Sequence, residues 1–266
     1  MPELPEVETI KRQLEKKLPG KKIERVQIID CPNADKRIRA LNGIKILKVR
    51  RRAKTLIVDL NNHKSLLIHL KLTGQLIFRK NAGKERFTRV LFYLSSGGLL
   101  FNDLRKFGFI KLVPTENVEK EIHEKYGPEP FDKDFTLKRF EEILVRKKKS
   151  KIKPLIMDQK IISGLGNIYA QEACFISGIR PGRTAGSLNK KEQKRLYSAI
   201  KRVLLSAIKF HGTSFDSIYV DAYGRPGGFG QRLYVYQQEK CRRCGQKLKS
   251  LRLGGRGTWY CGRCQK

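Results

Sequence analysis

GPEPFDKD, residues 127–134, separates two stretches of chain that obey different periodicities. Proline and glycine concentrate there, and the spacing of apolar residues changes from about two before it to nearly four after it. Upstream, KIERVQIID, IKILKVRRRAKTLIVDL, SLLIHLKLTGQLIF, RVLFYLSSGGLLFND and FGFIKLV are rich in β-branched and aromatic residues and are punctuated by Gly, Asn and Ser. Short strands in that order predict an antiparallel sandwich or barrel over residues 21–113. Downstream, FTLKRFEEILV and SLNKKEQKRLYSAIKRVLLSAIKFHG carry apolar residues at helical spacing, the second with Leu196, Ile200, Val203, Leu204, Ala207 and Ile208 on one face and Gly212 as its stop. The chain is long enough for two cores, and the boundary is placed in this segment.

Outward from that boundary the two ends are the most informative. The first residues, MPELPEVETIKRQLEKKL, read as a helix whose start tolerates Pro2 and Pro5, because the first N–H groups of a helix have no internal partner. Glutamates there suit the helix dipole. Helix punctuation would account for them, but Glu3 and Glu6 also share a face with Ile10 and Leu14 and so lean toward the core. Pro2 is small enough for removal of Met1 to be expected, which leaves a secondary amine beside a half-buried carboxylate.

At the other end, CRRC at 241–244 and CGRC at 261–264 form a C-x2-C-x16-C-x2-C array. Cys241, Cys244, Cys261 and Cys264 are expected to hold one structural Zn2+, since the spacing suits thiolates converging on a tetrahedral ion and an intracellular setting disfavours disulfides. Cys31 and Cys174 read as buried or incidental thiols.

The 58 Lys and Arg against 25 Asp and Glu give a formal charge of +33, which favours a polyanion. No apolar run approaches a membrane span and no basic amphipathic helix with exposed aromatics is apparent, so nucleic acid is the expected partner and the cytoplasm the expected location. Two glycines precede Asn167 in ISGLGNIYAQEA, where a helix start offers N–H groups to phosphate; a structural tight turn is the competing reading. HLKLTG at 69–74 and NDLRKFG at 102–108 read as strand-end loops that pair a cation or His with an apolar side chain. Taken singly, Leu72 and Phe107 read as core, His69 as structural and Lys54 as a snorkelling lysine.

Taken together, MPELPEVET, RRAK, HLKLTG, DLRKFG, GLGNIYAQE and GRGTWYCGRCQK resemble, in order and over nearly the whole chain, the formamidopyrimidine-DNA glycosylase family. The resemblance implies an α+β fold: an N-terminal β-sandwich with an N-terminal helix (1–130), a helix-two-turn-helix domain with a lesion-capping loop (131–234) and a four-cysteine zinc finger (235–266). It implies a monomeric repair enzyme on damaged duplex DNA that excises 8-oxoguanine and formamidopyrimidines and cuts the strand by β,δ-elimination. Pro2 matches the nucleophilic amine, Glu3 the acid/base group and Lys54 the lysine near the scission point, whereas Glu6 reads as structural. Leu72, Arg105 and Phe107 match the residues that fill the space of an everted base, and His69, Asn167, Tyr236 and Arg256 match phosphate grips. This chain departs from the family in having Leu72 for the usual methionine and Lys71 for the usual glycine; Lys71 is expected either to add a phosphate contact or to perturb its loop. The glycine-rich stretch from Ser217 to Gln231 is expected to be a lid over the base. An endonuclease VIII-like enzyme for oxidised pyrimidines and a non-catalytic zinc-ribbon binder are the competing readings.

Overall fold

The structure is a computed structural model, described here for residues 2–215 and 218–266. Met1 and Ser217, which bear on the expected amine and lid, lie outside the described residues. Contacts group the chain into two units, Met1–Glu124 with Ile208–Gly230, and Lys125–Ala207 with Gln231–Lys266.

The first unit begins with α1 (Leu4–Glu15), followed by β1 (Ile23–Ile28), β2 (Ile46–Arg52), β3 (Thr55–Leu60), β4 (Lys64–His69), β5 (Gly74–Arg79), β6 (Thr88–Leu94), β7 (Gly98–Asp103), β8 (Phe109–Pro114) and the short α2 (Val118–His123). The strands make two four-stranded antiparallel sheets of order β1-β6-β7-β5 and β2-β3-β4-β8. Alternating residues of both, among them Val49, Val58, Ile68, Leu76, Phe92, Phe101 and Ile110, share one apolar core with Val7, Ile10 and Leu14 of α1. The fold is therefore a sandwich, the first of the two architectures the strand pattern allowed. Tyr219 and Ala222 from the segment after the long helix also enter this core.

The second unit holds α3 (Leu137–Arg146), α4 (Ile152–Met157), α5 (Asn167–Ser177), most of α6 (Lys190–Lys209) and the hairpin of β9 (Lys249–Leu253) and β10 (Arg256–Tyr260). Thr136 caps α3 by accepting the Arg139 N–H, and Asn189 and Glu192 exchange side-chain-to-backbone hydrogen bonds at the start of α6. Gly178 ends α5 in the left-handed conformation at φ +74°. Gly254 and Gly255, at φ +55° and +73°, supply the tight turn between β9 and β10. Phe175, Val235, Leu248 and the thiols of Cys241 and Cys261 pack into a small core around this hairpin. Among the described residues no helix is long and apolar enough to cross a membrane.

Candidate DNA-repair site

The expected residues of the first unit gather at one end of the sandwich because of strand register. Thr55 pairs with His69 and His69 with Phe109, while Gly74 pairs with Asp103. The chain crosses from one sheet to the other through residues 70–73 and returns through residues 104–108, so the two crossovers start and finish on paired rows. Lys54 sits in the turn between β2 and β3, immediately before Thr55, and is only 4% exposed.

A single carboxylate joins the crossovers. Asp103, itself buried, accepts the Thr73 hydroxyl and the N–H groups of Arg105 (3.2 Å) and Gly108 (2.7 Å), and the Arg105 N–H also reaches the Thr73 hydroxyl at 3.0 Å. With the backbone so held, Phe107 stands 49% exposed and the Arg105 guanidinium lies 4.8 Å from its ring centroid. An exposed phenylalanine braced by a cation on a fixed loop suits insertion into a base stack. Leu72 is half-buried on the opposing crossover.

His69 is buried against the Phe109 ring, centroid to centroid 5.4 Å, and its Nδ1 accepts the Lys71 N–H at 3.0 Å. That bond leaves the proton on Nε2 as a donor. Burial, assisted by Lys71 and Lys54, lowers the imidazole pKa to about 3, so the ring is neutral in ordinary conditions.

At the N-terminus Glu3 is the cap of α1 in a reciprocal capping box: its side chain accepts the Glu6 N–H, and Glu6 Oε2 accepts the Glu3 N–H at 2.8 Å. Glu3 and Glu6 are buried, as their shared face with Ile10 and Leu14 predicts, and Pro2 is buried beside them. Glu6 does more than cap. Its Oε1 accepts the Thr213 N–H at 2.8 Å, which ties the residue beside Pro2 to the segment after α6. The ion pair of Glu8 with Arg51 at 2.8 Å holds α1 on β2, near the turn that carries Lys54.

The stretch expected to be a lid is anchored over most of its described length. Gln13 donates to the Asp221 carboxylate and accepts the Ala222 N–H, both at 2.8 Å, and the Phe78 N–H donates to the Ala222 carbonyl. Gly228 N–H bonds to Phe210 O and Phe229 N–H to Gly212 O. Gly227 permits a close backbone approach, since a β-carbon there would stand 2.4 Å from the Gly212 carbonyl oxygen.

In the second unit α5 positions the expected phosphate grips. Asn167 is its first residue, preceded by Gly166, as the sequence predicts. Gln171, fully buried, accepts the Trp259 N–H at 2.7 Å and donates to Asn167 O (2.7 Å) and Gly257 O (3.2 Å). It thereby fixes Asn167 to the hairpin whose exposed Arg256 is one residue from Gly257. Glu172, also fully buried, accepts the N–H groups of Tyr234, Val235 and Tyr236 at 2.8, 2.9 and 3.0 Å, while burial pushes its carboxyl above the usual range. Lys153, with no exposed surface, donates to Thr258 Oγ1 at 2.7 Å. Asp103, Gln171, Glu172 and Lys153 escaped the sequence reading, because each is defined by a distant partner; the only available signal was the polar Gln-Glu pair on an otherwise apolar helix face.

The thiols of Cys241, Cys244, Cys261 and Cys264 lie within 4.8 Å of one another, with Cys241 to Cys264 at 3.9 Å and Cys244 to Cys261 at 3.5 Å. Four thiolates about 2.3 Å from a tetrahedral Zn2+ would be roughly 3.8 Å apart, so the cluster fits one structural zinc ion. Cys31 and Cys174 are buried, and burial raises the Cys174 thiol to about 12.

Comparison with known proteins agrees along the chain. Residues 1–110 match the formamidopyrimidine-DNA glycosylase N-terminal domain, residues 126–218 the H2TH domain of the same enzymes, and residues 238–266 the zinc finger found in FPG and IleRS. The formamidopyrimidine-DNA glycosylases of Heliobacterium modesticaldum and Pelotomaculum thermopropionicum are 40% and 42% identical, covering all of this chain and 100% and 99% of theirs. The crystal structure of Lactococcus lactis Fpg with DNA containing N7-benzyl-Fapy-dG superposes with a TM-score of 0.92 at 34% identity over the whole of both chains. A complex of Lactococcus lactis Fpg with abasic-site DNA does so equally well, at 0.92 over 99% of each. The chain belongs to the formamidopyrimidine-DNA glycosylase family, DNA glycosylases of base-excision repair with a four-cysteine zinc finger.

Proposed function

We propose that this glycosylase excises 8-oxoguanine and ring-opened formamidopyrimidines from duplex DNA and then cleaves the strand, with the Pro2 amine as nucleophile. The capping box is the observation that carries this reading. It fixes the backbone of Glu3, and so the direction of the residue before it, by hydrogen bonds of Glu6 and Glu3 to each other's N–H groups. A helix N-terminus disfavours an ammonium, whereas neighbouring carboxylates favour it; the amine acts in its unprotonated form.

Attack of the Pro2 nitrogen on C1′ expels the base with the electrons of the glycosidic bond, and a proton is delivered to the leaving group. Opening of the sugar ring then gives a protonated Schiff base. The iminium acidifies the C2′ hydrogen; loss of that proton expels the 3′ phosphate, and a second elimination expels the 5′ phosphate. Glu3 moves the protons in these steps, and Lys54 holds the sugar or phosphate next to the scission point. Because the target base leaves the stack, Leu72, Arg105 and Phe107 occupy its place, with His69, Asn167, Tyr236 and Arg256 gripping phosphates. The Asp103 anchor supports the wedge role, since a side chain that enters a stack needs a backbone that does not retreat.

Borohydride reduction during reaction with a duplex containing 8-oxoguanine opposite cytosine tests the reading. A covalent adduct that maps to Pro2 is the expected result. Glu3→Gln should retain lesion binding and lose most single-turnover activity. An adduct on Lys54, or none with wild-type protein that binds the duplex, overturns the assignment.

A further inference from the structure

Lys71 adopts φ +51°, in the left-handed region that a residue with a β-carbon enters at a cost of roughly 1 kcal/mol. Such a residue on a functional loop calls for an offsetting contribution. Its side chain indicates where to look. Lys71 Nζ lies 5.6 Å from the Phe109 ring centroid and Lys111 Nζ 5.9 Å from the same centroid. Phe109 and Lys111 alternate along β8 and so share a face, and the register puts His69 directly opposite Phe109. Two ammonium groups and the imidazole thus surround one aromatic ring. Both lysines are exposed, and among the described residues neither has an ion-pair partner.

The ring borders an open groove of about 500 Å³ lined by Pro32, Asn33, Asp35, Lys71, Phe107 and Lys111. Asp35 is its only carboxylate; the Arg37 guanidinium at 2.7 Å offsets that charge, holding the acid at about 2. The groove is therefore cationic in effect. Phe107, the residue proposed to enter the base stack, stands at its lip.

We propose that Lys71 and Lys111, braced by Phe109, form an additional subsite for a backbone phosphate of duplex DNA beside the wedge. The inference rests on the DNA-repair reading above. Phosphate suits the site because two ammonium groups held 5.6 and 5.9 Å from one ring centroid, on exposed side chains, favour non-bridging oxygens. Here the strained Lys71 backbone directs a cation toward the DNA, where a glycine would direct nothing.

Each phosphate contact contributes about 0.9 to the slope of log K against log salt. Binding of a duplex with a tetrahydrofuran abasic analogue is to be measured by anisotropy over a range of salt for wild type, Lys71→Gly, Lys111→Gln and the double variant. The slope should fall in each single variant and by about 0.9, the contribution of one phosphate, in the double. Lys71→Gly is the sharper test, because glycine relieves the backbone; its melting temperature should equal or exceed that of wild type while the slope falls. Lys17→Gln, an exposed change beyond the far end of α1, should leave the slope unaltered. Excess inorganic phosphate should compete weakly and equally with wild type and variants if the site requires a duplex. An unchanged slope in the double variant, or an equal drop in Lys17→Gln, overturns the subsite, and selective competition by inorganic phosphate against wild type overturns duplex DNA as its ligand. The Pro2 reading is judged separately, on the wild-type borohydride adduct.

Discussion

The Asp103 carboxylate accepts the Thr73 hydroxyl, and through it one buried acid joins the crossover that carries Leu72 to the crossover that carries Arg105 and Phe107. Asp103→Asn puts an NH2 group where at least one of these donors now points. A buried donor facing a donor costs about 1–3 kcal/mol. Single-turnover excision of 8-oxoguanine should fall ten- to a hundredfold, while cleavage of a preformed abasic site falls much less. Thr73→Val should reproduce the excision defect more mildly. Rapid-quench assays on the two substrates check this, and equal losses on both would exclude a wedge-specific role.

His69 predicts an acid limb in stability. Its folded pKa, about 3, lies below the ordinary value of 6.5, so the unfolded chain binds the proton more readily. The resulting stabilisation is complete above pH 6.5 and is lost as pH falls from 6.5 toward 3. By pH 5 the loss is about 2 kcal/mol. Urea unfolding of wild type and His69→Gln across this range should show a difference that shrinks with acid. A constant difference between pH 7 and 5 would contradict the buried neutral ring.

The zinc finger is fastened to α5 through backbone groups, and metal removal should undo that attachment before anything else. Its core is small, with Phe175, Val235 and Leu248 as the main apolar contributors besides the thiols. Without the ion so few groups do not hold a fold. Chelation, or Cys261→Ser, should weaken binding of abasic DNA at least tenfold by releasing Arg256, while circular dichroism of the sandwich and its melting remain. Full incision by protein shown by elemental analysis to lack zinc would refute this.

What the sequence disclosed depended on the range of the interaction. The helix start around Pro2, Glu3 and Glu6 and the four cysteines are short-range patterns, and the period-two strands report a face that each residue senses locally. The sheet order β1-β6-β7-β5 is set by pairings between distant strands, and no local period records it. The same holds for Asp103, Gln171 and Glu172: in sequence each is an ordinary polar residue, and only the fold supplies its partners. Lys71 was legible as a departure, but its positive φ explains why glycine suits the position.

Glycine-rich sequence after α6 suggested a lid, and the bonds there argue for a different consequence. Gly227 packs backbone to backbone on residues 211 and 212, and the hydrogen bonds Gly228 to Phe210 and Phe229 to Gly212 continue that contact. Gly212 in turn precedes Thr213, whose N–H is held by Glu6. A methyl group at residue 227 would force this strand-like pair apart and strain the link to the N-terminal helix. Gly227→Ala should therefore cost about 1–3 kcal/mol, the range for overpacking a tight contact. It should also slow 8-oxoguanine excision and abasic-site cleavage to a similar extent, because in the proposed mechanism Glu3, whose N–H Glu6 holds, acts in both. A flexible lid would respond otherwise: melting would barely change, and excision alone would suffer. Thermal unfolding and parallel single-turnover assays on the two substrates separate the outcomes, and a selective loss of excision at unchanged melting temperature would restore the lid for residues 219–230.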